Sequence, residues 1–388
     1  MIDQGQNQDS PRIVLTMIVK NEAHVIERCI ASVRPIIDTY LIVDTGSEDG
    51  TQEVIRRVLA DLPGEVVDRP WVDFAQNRSE ALELARPYGE YSLMIDADVE
   101  CVIEAGFDSK AFRRSLDADV YRIMLRDFIH YHRPQLTSTR LPFFYRGVLH
   151  EFLVIPDEAV DGGILEGVSY QSHTDGARWA NPQKYSDDAS LLAGALAKDE
   201  DPELESRYAF YLAQSLRDAG SFDAAELVYR KRAEMGGWSE ETYVAWLWHA
   251  RMLKNLDRPI GQILESLAKA QEAVPTRAEA WCEAAKFSRE AGMMQSAFVY
   301  ARRAVEIHRP ADALFLEVDV YEWRALHEYS IAAYYVGDYV GGIRACHRLL
   351  YADKMPPAER AATEENLKFY PEDAIAGDHN GSVGSSAV

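Results

Sequence analysis

Asp96-Ala97-Asp98 follows directly on the apolar run Tyr91–Ile95, so a core strand would end by presenting two carboxylates on one short turn. Carboxylate oxygens suit hard divalent cations such as Mg²⁺ or Mn²⁺, which commonly share their coordination sphere with a substrate diphosphate and water. Aspartate also favours turns for their own sake, so the pair takes its meaning from its neighbours. The stretch Thr16-Met-Ile-Val-Lys-Asn-Glu22 closes an earlier apolar run, and Val43-Asp-Thr-Gly-Ser-Glu-Asp-Gly-Thr51 closes the next. The acidic, small and glycine residues of that second stretch suit a loop that hydrogen-bonds a ribose or a base.

The elements that must position these residues follow from periodicity. Ile13–Ile18, Tyr40–Val43, Glu65–Val67 and Tyr91–Ile95 are short apolar runs separated by helical patterns. Such alternation predicts a parallel sheet with crossover helices. The first crossover carries Ile26, Cys29, Ile30 and Val33 at i, i+3, i+4, i+7, with Asn21 as its expected N-cap. From about Val120 to Ser172 the pattern becomes strand-like, broken by prolines and by Gly162-Gly163, and these segments are expected to complete a mixed sheet. Open parallel sheets place their ligand crevice at the carboxyl ends of the strands, where the motifs above fall.

Beyond Asn181-Pro182, an expected N-cap and first helical residue, strand patterns vanish. Tyr211–Ala225 recurs as Glu283–Ala297, and Ser330–Ile343 supplies another copy. Gly220 and Gly292 are separated by about two periods of the ~34-residue tetratricopeptide unit. Small residues (Ala213, Ala225, Ala285, Ala297, Ala304, Ala333) occupy the places where paired helices must cross closely, while Arg232, Gly341 and the unit around Tyr243–Asp257 depart from the pattern. Trp238, Trp246, Trp248, Trp281 and Trp323 fall at helical spacing and read mostly as repeat core. Trp71 and Trp179, nearer the acidic motifs, could stack on a sugar, with packing the plainer expectation.

Composition bounds the partners. The chain has 388 residues, 47% of them hydrophobic, and a net charge of −22. That balance disfavours nucleic acid and anionic membrane, both of which need clustered Lys and Arg. Its longest apolar runs are strand-sized, short of the ~20 residues that cross a bilayer, so no transmembrane anchor is expected. The polar start Met1–Ser10 lacks the features of a signal peptide, and the expected location is cytoplasmic. Cys29, Cys101, Cys282 and Cys346 lack paired spacing and read as core fillers rather than disulfides or a zinc cluster.

On the three motifs and their spacing, with Phe74-Ala-Gln-Asn-Arg78-Ser-Glu-Ala-Leu82 before the third, the chain resembles family 2 glycosyltransferases of the GT-A fold over about residues 11–180. The resemblance implies an α/β domain with a Rossmann-like mixed sheet, followed by an all-α domain that resembles tetratricopeptide repeats. It divides the chain into a lead-in (1–10), a catalytic domain (11–180), a helical repeat domain (181–375) and a disordered tail (376–388). It also implies a nucleoside-diphosphate sugar as donor, UDP-sugar favoured. Thr16 and Glu22 would then contact the donor, Asp44 would lie near base or ribose, Asn77 and Arg78 near the diphosphate, and Asp96, Ala97 and Asp98 would span ribose and metal.

Two plainer readings stand beside these: Asp44 as a cap of the turn at Gly46, and Arg78 on a solvated helix face. The usual paired Asp-Asp of the second motif is Asp44-Thr45 here, a departure from the family pattern. Tyr145-Arg-Gly-Val-Leu-His-Glu-Phe152 is similar to the Gly-x-x-His-Glu segment of bacterial glycosyltransferases that carry such repeats. Inverting transfer needs a carboxylate to take the acceptor's proton, and Glu151 is the expected base, with Asp127 and Asp175 in reserve. His150 reads as a donor-site residue or a core imidazole. Both His150 and Glu151 can serve only if the strand bends, since neighbours on a strand face opposite ways. His173 is the expected third metal ligand with Asp96 and Asp98, or else a loop histidine. The acceptor would be a glycan, peptide or protein held by the repeats, and the chain could self-associate. The rival expectation is an interaction scaffold on an inactive transferase-like domain. Nucleotidyl transfer would call for a glycine-rich basic loop after the first strand, and Met17–Glu22 contains no glycine.

Overall fold

The protein, represented by a computed structural model, is described over residues 10–126, 130–198, 201–311 and 313–371. Asp127, the lead-in apart from Ser10, and the tail 376–388 lie outside the described residues. The chain divides into two compact units, Met1–Ala195 and Leu196–Val388.

The first unit runs β1 (Ile13–Val19), α1 (Ile26–Val33), β2 (Thr39–Asp44), α2 (Thr51–Val58), β3 (Gly64–Asp68), α3 (Phe74–Ala85) and β4 (Tyr91–Met94). Then come β5 (Val99–Ile103), α4 (Ser109–Arg114), β6 (Val120–Arg126), β7 (His130–Ser138), β8 (Phe144–Arg146), β9 (Phe152–Val154), β10 (Asp161–Ser172) and α5 (Lys184–Lys198). Eight strands form one sheet in the order β3-β2-β1-β4-β7-β6-β10-β5, and β8 and β9 pair separately. Strands β1 to β4 are parallel. The sheet turns mixed at β7, which runs antiparallel to β4 and β6.

Strand alternation splits the core into two layers. Ile13, Leu15 and Met17 of β1 pack with Ile26, Cys29, Ile30 and Val33, the predicted stripe of α1. Val14 of β1 turns the other way and packs with Ala81, Leu82 and Ala85 of α3. Each fully buried Ile, Leu or Met contributes about 1.5–3 kcal/mol of transfer free energy, so the register of β1 is strongly fixed. The same alternation sends Ile95 and Ala97 to the α1 layer, leaving Asp96 on the side of α3.

Helix α1 starts later than its spacing suggested. Asn21 is not its cap; it adopts a left-handed φ of 58°, and its side chain accepts the Glu48 amide at 2.8 Å, tying the first motif loop to the second. The Glu22 carbonyl instead receives the Val25 and Ile26 amides. Asn181 likewise caps a turn, accepting from the Gln183 amide at 2.9 Å, just ahead of α5.

The second unit is helical: α6 (Glu205–Asp218), α7 (Phe222–Glu234), α8 (Ser239–Asn255), α9 (Ile260–Ala273), α10 (Glu279–Glu290), α11 (Met294–Glu306), α12 (Ala325–Val336), α13 (Tyr339–Ala352) and α14 (Pro357–Leu367). Gly220, Gly292 and Gly337 end α6, α10 and α12 with φ of 78°, 75° and 83°, the left-handed turn that favours glycine after a helix. The six alanines expected at close crossings are all buried. Arg232, where the repeat departs from its pattern, is buried against Glu241 at 2.8 Å. Trp246 is core as expected, whereas Trp238 is exposed. All four cysteines are buried and free.

Candidate active site

Carboxyl-end loops of β1, β2 and β4 meet the loop after β10 around a cleft of about 720 Å³, within the range of small-ligand sites. Lys20 and Glu22 line it from β1, Thr45 from β2, Asp96, Ala97 and Asp98 from β4, and Gly176 to Trp179 from the far loop. Trp71, Phe74 and Arg78 line it from the α3 side, and Asp187 and Asp188 from α5.

The two aspartates stand in different environments. Asp96 faces Arg78, whose side chain is only 6% exposed, and the two form an ion pair. Burial would raise the Asp96 pKa, but the adjacent Arg78 charge outweighs it and holds the carboxyl below its ordinary value. On its other side Arg78 Nε reaches Glu151 Oε1 at 2.8 Å, without hydrogen-bond alignment. Arg78 is therefore a buried bridge between two carboxylates, not a solvated helix residue. Asp98, by contrast, is paired with no basic side chain among the described residues. Burial, and then the nearby Asp96 charge, raise its pKa, against a smaller lowering from the neighbouring Trp179 indole.

Glu22 completes the acidic wall. Its carboxylate accepts the Ala177 amide at 3.1 Å, and burial, reinforced by Asp98, pushes its pKa up to about 7. The loop carrying Ala177 is fastened further by Arg28, which grips Asp175 with two hydrogen bonds of 2.6 and 2.8 Å, and by His24, whose ring bonds the Asp175 carbonyl at 2.7 Å. Asp175, a reserve base on sequence grounds, is thus a tether, and Arg28 holds its pKa below the usual carboxylate range. Gly176 lies so close to Asp98 that an added Cβ would sit 3.0 Å from its side chain.

Several expected site residues face elsewhere. Thr16 is fully buried in β1, its hydroxyl bonded to Ser92 at 2.7 Å, because even-numbered β1 residues point into the α3 layer. Asn77 is buried with both ends of its amide engaged, Oδ1 accepting the Val72 amide at 3.0 Å and Nδ2 donating to Pro70 at 3.1 Å. It braces the chain before α3 and does not face the cleft. Asp44 is buried and caps its turn, Oδ1 accepting from Gly46 and Ser47 at 2.8 and 2.7 Å; its second oxygen has no hydrogen-bond partner. Glu151 lies behind Arg78, its side chain 8% exposed, and is not on the cleft wall. His150 does provide the bend needed, with a φ of 53° between β8 and β9. It is exposed, which removes the core-imidazole reading.

His173 does not join the two aspartates. Its amide bonds the Asp98 carbonyl at 3.0 Å, but its ring turns to Glu100 at 3.2 Å, and among the described residues no three acidic, imidazole or thiol groups converge for a metal. The donor set that remains, Asp98 with the outer oxygen of the 36%-exposed Asp96, is all oxygen. Two carboxylates on one turn, of which only Asp96 is paired with a basic side chain, fit a hard divalent cation that shares its sphere with a diphosphate.

Sequence reasoning gave no site role to Gly176 or Arg178, and it favoured packing for Trp71 and Trp179, which are 41% and 47% exposed on the cleft. Arg178 pairs with Asp188 and lies 4.7 Å from the Phe74 ring centre. Their signal is Gly176-Ala-Arg-Trp179, a close-approach residue followed by a cation and a large ring.

Residues 15–105 match the family described as Glycosyl transferase family 2, and the first unit carries a family 2 glycosyltransferase domain. A TPR repeat-containing protein of Synechococcus elongatus is 24% identical over 316 residues, covering 76% of this chain and 75% of that protein. Uncharacterized glycosyltransferases of Rickettsia bellii and Rickettsia felis are 38% and 35% identical over 89 residues; the match spans 28% and 29% of their lengths and 23% of this chain. Among solved structures, a tetratricopeptide repeat protein from Parabacteroides merdae is 14% identical, with a TM-score of 0.38 over 54% of this chain and 77% of its own. MamA is 13% identical, with a TM-score of 0.36 over 44% and 90%. No helix among the described residues is long and apolar enough to cross a membrane.

Proposed function

We propose that the first unit transfers a sugar, with inversion, from a nucleoside-diphosphate sugar, UDP-sugar favoured, to a glycan, peptide or protein acceptor, using Mn²⁺ or Mg²⁺. The observation that carries the reading is the contrast on one turn: Asp96 neutralised by Arg78, and Asp98 left without a cation on a cleft of substrate size. Asp98 and the outer oxygen of Asp96 would hold the cation. When bound, it would neutralise charge building on the departing nucleoside diphosphate.

The chain's own groups do the rest. Lys20 and Arg178 bring positive charge to a cleft that must accept two phosphates. Gly176 lets the far loop approach Asp98, and Trp179 lines the cleft beside it. Glu151, the base expected from the sequence, lies behind Arg78 and off the cleft wall, so the misaligned Arg78 contact would have to yield to an entering diphosphate before it could take the acceptor's proton. The helical unit would present the acceptor, since stacked repeats build extended binding surfaces.

Calorimetric titration with UDP, GDP and dTDP, each with and without Mn²⁺, tests the reading. Metal-dependent binding of one nucleotide, lost in Asp98→Ala, is expected. Absence of binding by the parent protein would overturn it in favour of an interaction scaffold built on an inactive domain.

A further inference from the structure

Trp71 is a large ring held at the surface by a buried clamp. It follows β3, and the segment that carries it is braced on both sides by Asn77, which takes the Val72 amide and gives to the Pro70 carbonyl. Phe74 packs against the Trp71 ring in a T-shaped arrangement, centroids 4.8 Å apart and planes at 80°. Asn77 is almost wholly buried, and its entire amide serves this one segment. Yet the indole so fixed is 41% exposed and lines the cleft. Braced in place and exposed on a cleft wall, the ring offers a preorganised apolar face to a ligand.

Strand order says which part of a ligand it meets. Trp71 stands beyond the carboxyl end of β3, and Asp96 and Asp98 beyond that of β4, with β2 and β1 between them. Three strand spacings separate those ends, about 14 Å. A donor whose diphosphate lies at Asp98 must run its nucleoside along the cleft, and toward β3 it reaches Trp71. In the opposite direction lie β7 and the antiparallel half of the sheet. The ring at the β3 end is therefore the base, and a flat aromatic base stacks on an indole face with little regard to its hydrogen-bonding edge.

We propose that Trp71 is the stacking surface for the nucleobase of the donor, and that Asn77 is a positioning residue that holds it there. The inference rests on the glycosyltransferase reading and adds to it a residue that binds by ring contact. It also accounts for an asparagine in the α3 motif that makes no contact with the cleft.

The test is nucleotide titration of the full chain with Mn²⁺, followed by calorimetry and by tryptophan emission, for the parent, Trp71→Ala, Trp71→Phe and Asn77→Ala. Trp71→Ala should weaken the nucleoside diphosphate about ten-fold, the order of one base–aromatic stack, and should abolish most of the emission quench. Inorganic pyrophosphate with Mn²⁺ should bind the parent and Trp71→Ala alike, because it has no base. Trp71→Phe should recover most of the affinity. Asn77→Ala should weaken the nucleotide while leaving pyrophosphate unchanged. Equal nucleotide affinity in the parent and Trp71→Ala overturns the stacking and leaves the donor site standing. Equal losses for nucleotide and pyrophosphate would show a general distortion and also overturn it. A parent that binds no nucleotide overturns the glycosyltransferase reading itself.

Discussion

Replacing Arg78 by leucine should destabilise the first unit sharply, and in a pH-dependent way. The side chain keeps bulk in the α3 layer but removes the positive charge between Asp96 and Glu151. Arg78 and the Glu151 side chain are 6% and 8% exposed, so Glu151 is left a buried, uncompensated carboxylate. Breaking a buried pair by removing one partner costs about 3–5 kcal/mol. Asp96 adds less, because it is 36% exposed and screened by water. For a unit of this size each kcal/mol moves Tm by about 2–4 °C, so the loss should be about 6–20 °C at pH 7.5. The sign of the pH effect follows from Asp96, whose folded pKa lies below its ordinary value on account of Arg78. Stability from a depressed carboxylate is present above the unfolded pKa and fades as pH falls through the folded one. In Arg78→Leu Asp96 no longer has that depressed value, so the gap to the parent should hold from pH 7.5 to 5 and narrow below about pH 4, where the parent begins to lose the Asp96 contribution. Scanning calorimetry of both proteins at pH 7.5 and about 3.5, with Arg78→Leu/Glu151→Gln to relieve the stranded charge, measures this. A Tm shift under about 2 °C at pH 7.5, or a gap that widens at about pH 3.5, would refute the account of Arg78 as the bridge.

Glu22 carries the opposite linkage: its folded pKa is raised to about 7, so the folded state binds a proton more tightly than the unfolded one and stability falls as pH rises through that range. Glu22→Gln should melt above the parent at pH 8 and level with it at pH 5, and thermal scans at the two values decide it. Gly176→Ala should weaken Mn²⁺ at least several-fold in a spin-resonance titration while leaving Tm within about 2 °C, because the new methyl meets Asp98; undiminished Mn²⁺ affinity would count against that contact. In the helical unit Gly342→Ala should displace the end of the chain, since a Cβ there would lie 1.9 Å from the Tyr370 hydroxyl. Faster proteolysis after α14 is the expected result, and an unchanged digestion pattern would contradict it.

The parallel strands were readable because strands buried on both faces are continuously apolar, and α1 because its stripe keeps a 3.6-residue period. The aspartate turn was readable for the same reason, as the polar end of an apolar run. What sequence could not supply was the direction in which polar residues point. Thr16 and Asn77 sit in the right motifs yet face inward, since a hydroxyl or amide is equally at home bonded to Ser92 or to the backbone at Pro70 and Val72. Arg78 looked solvated because its partners lie 18 and 73 positions along the chain. The Gly176–Trp179 loop was passed over on the same grounds: its anchors, Glu22, Arg28 and Asp98, are remote in sequence and meet it only through the sheet.

Three turns of one hand, at Gly220, Gly292 and Gly337, bear on how such a chain can change its length over generations. Each lies between two helices that pack on one another, and repeat stability is close to a sum over neighbouring units. Duplication or excision of a whole pair therefore alters reach while leaving the remaining junctions as they were. The first unit has no such freedom, because a one-residue slip in β1 would exchange its two core layers. Natural size variation in chains of this design should accumulate in whole helical pairs after the sheet, while the sheet itself stays constant in length.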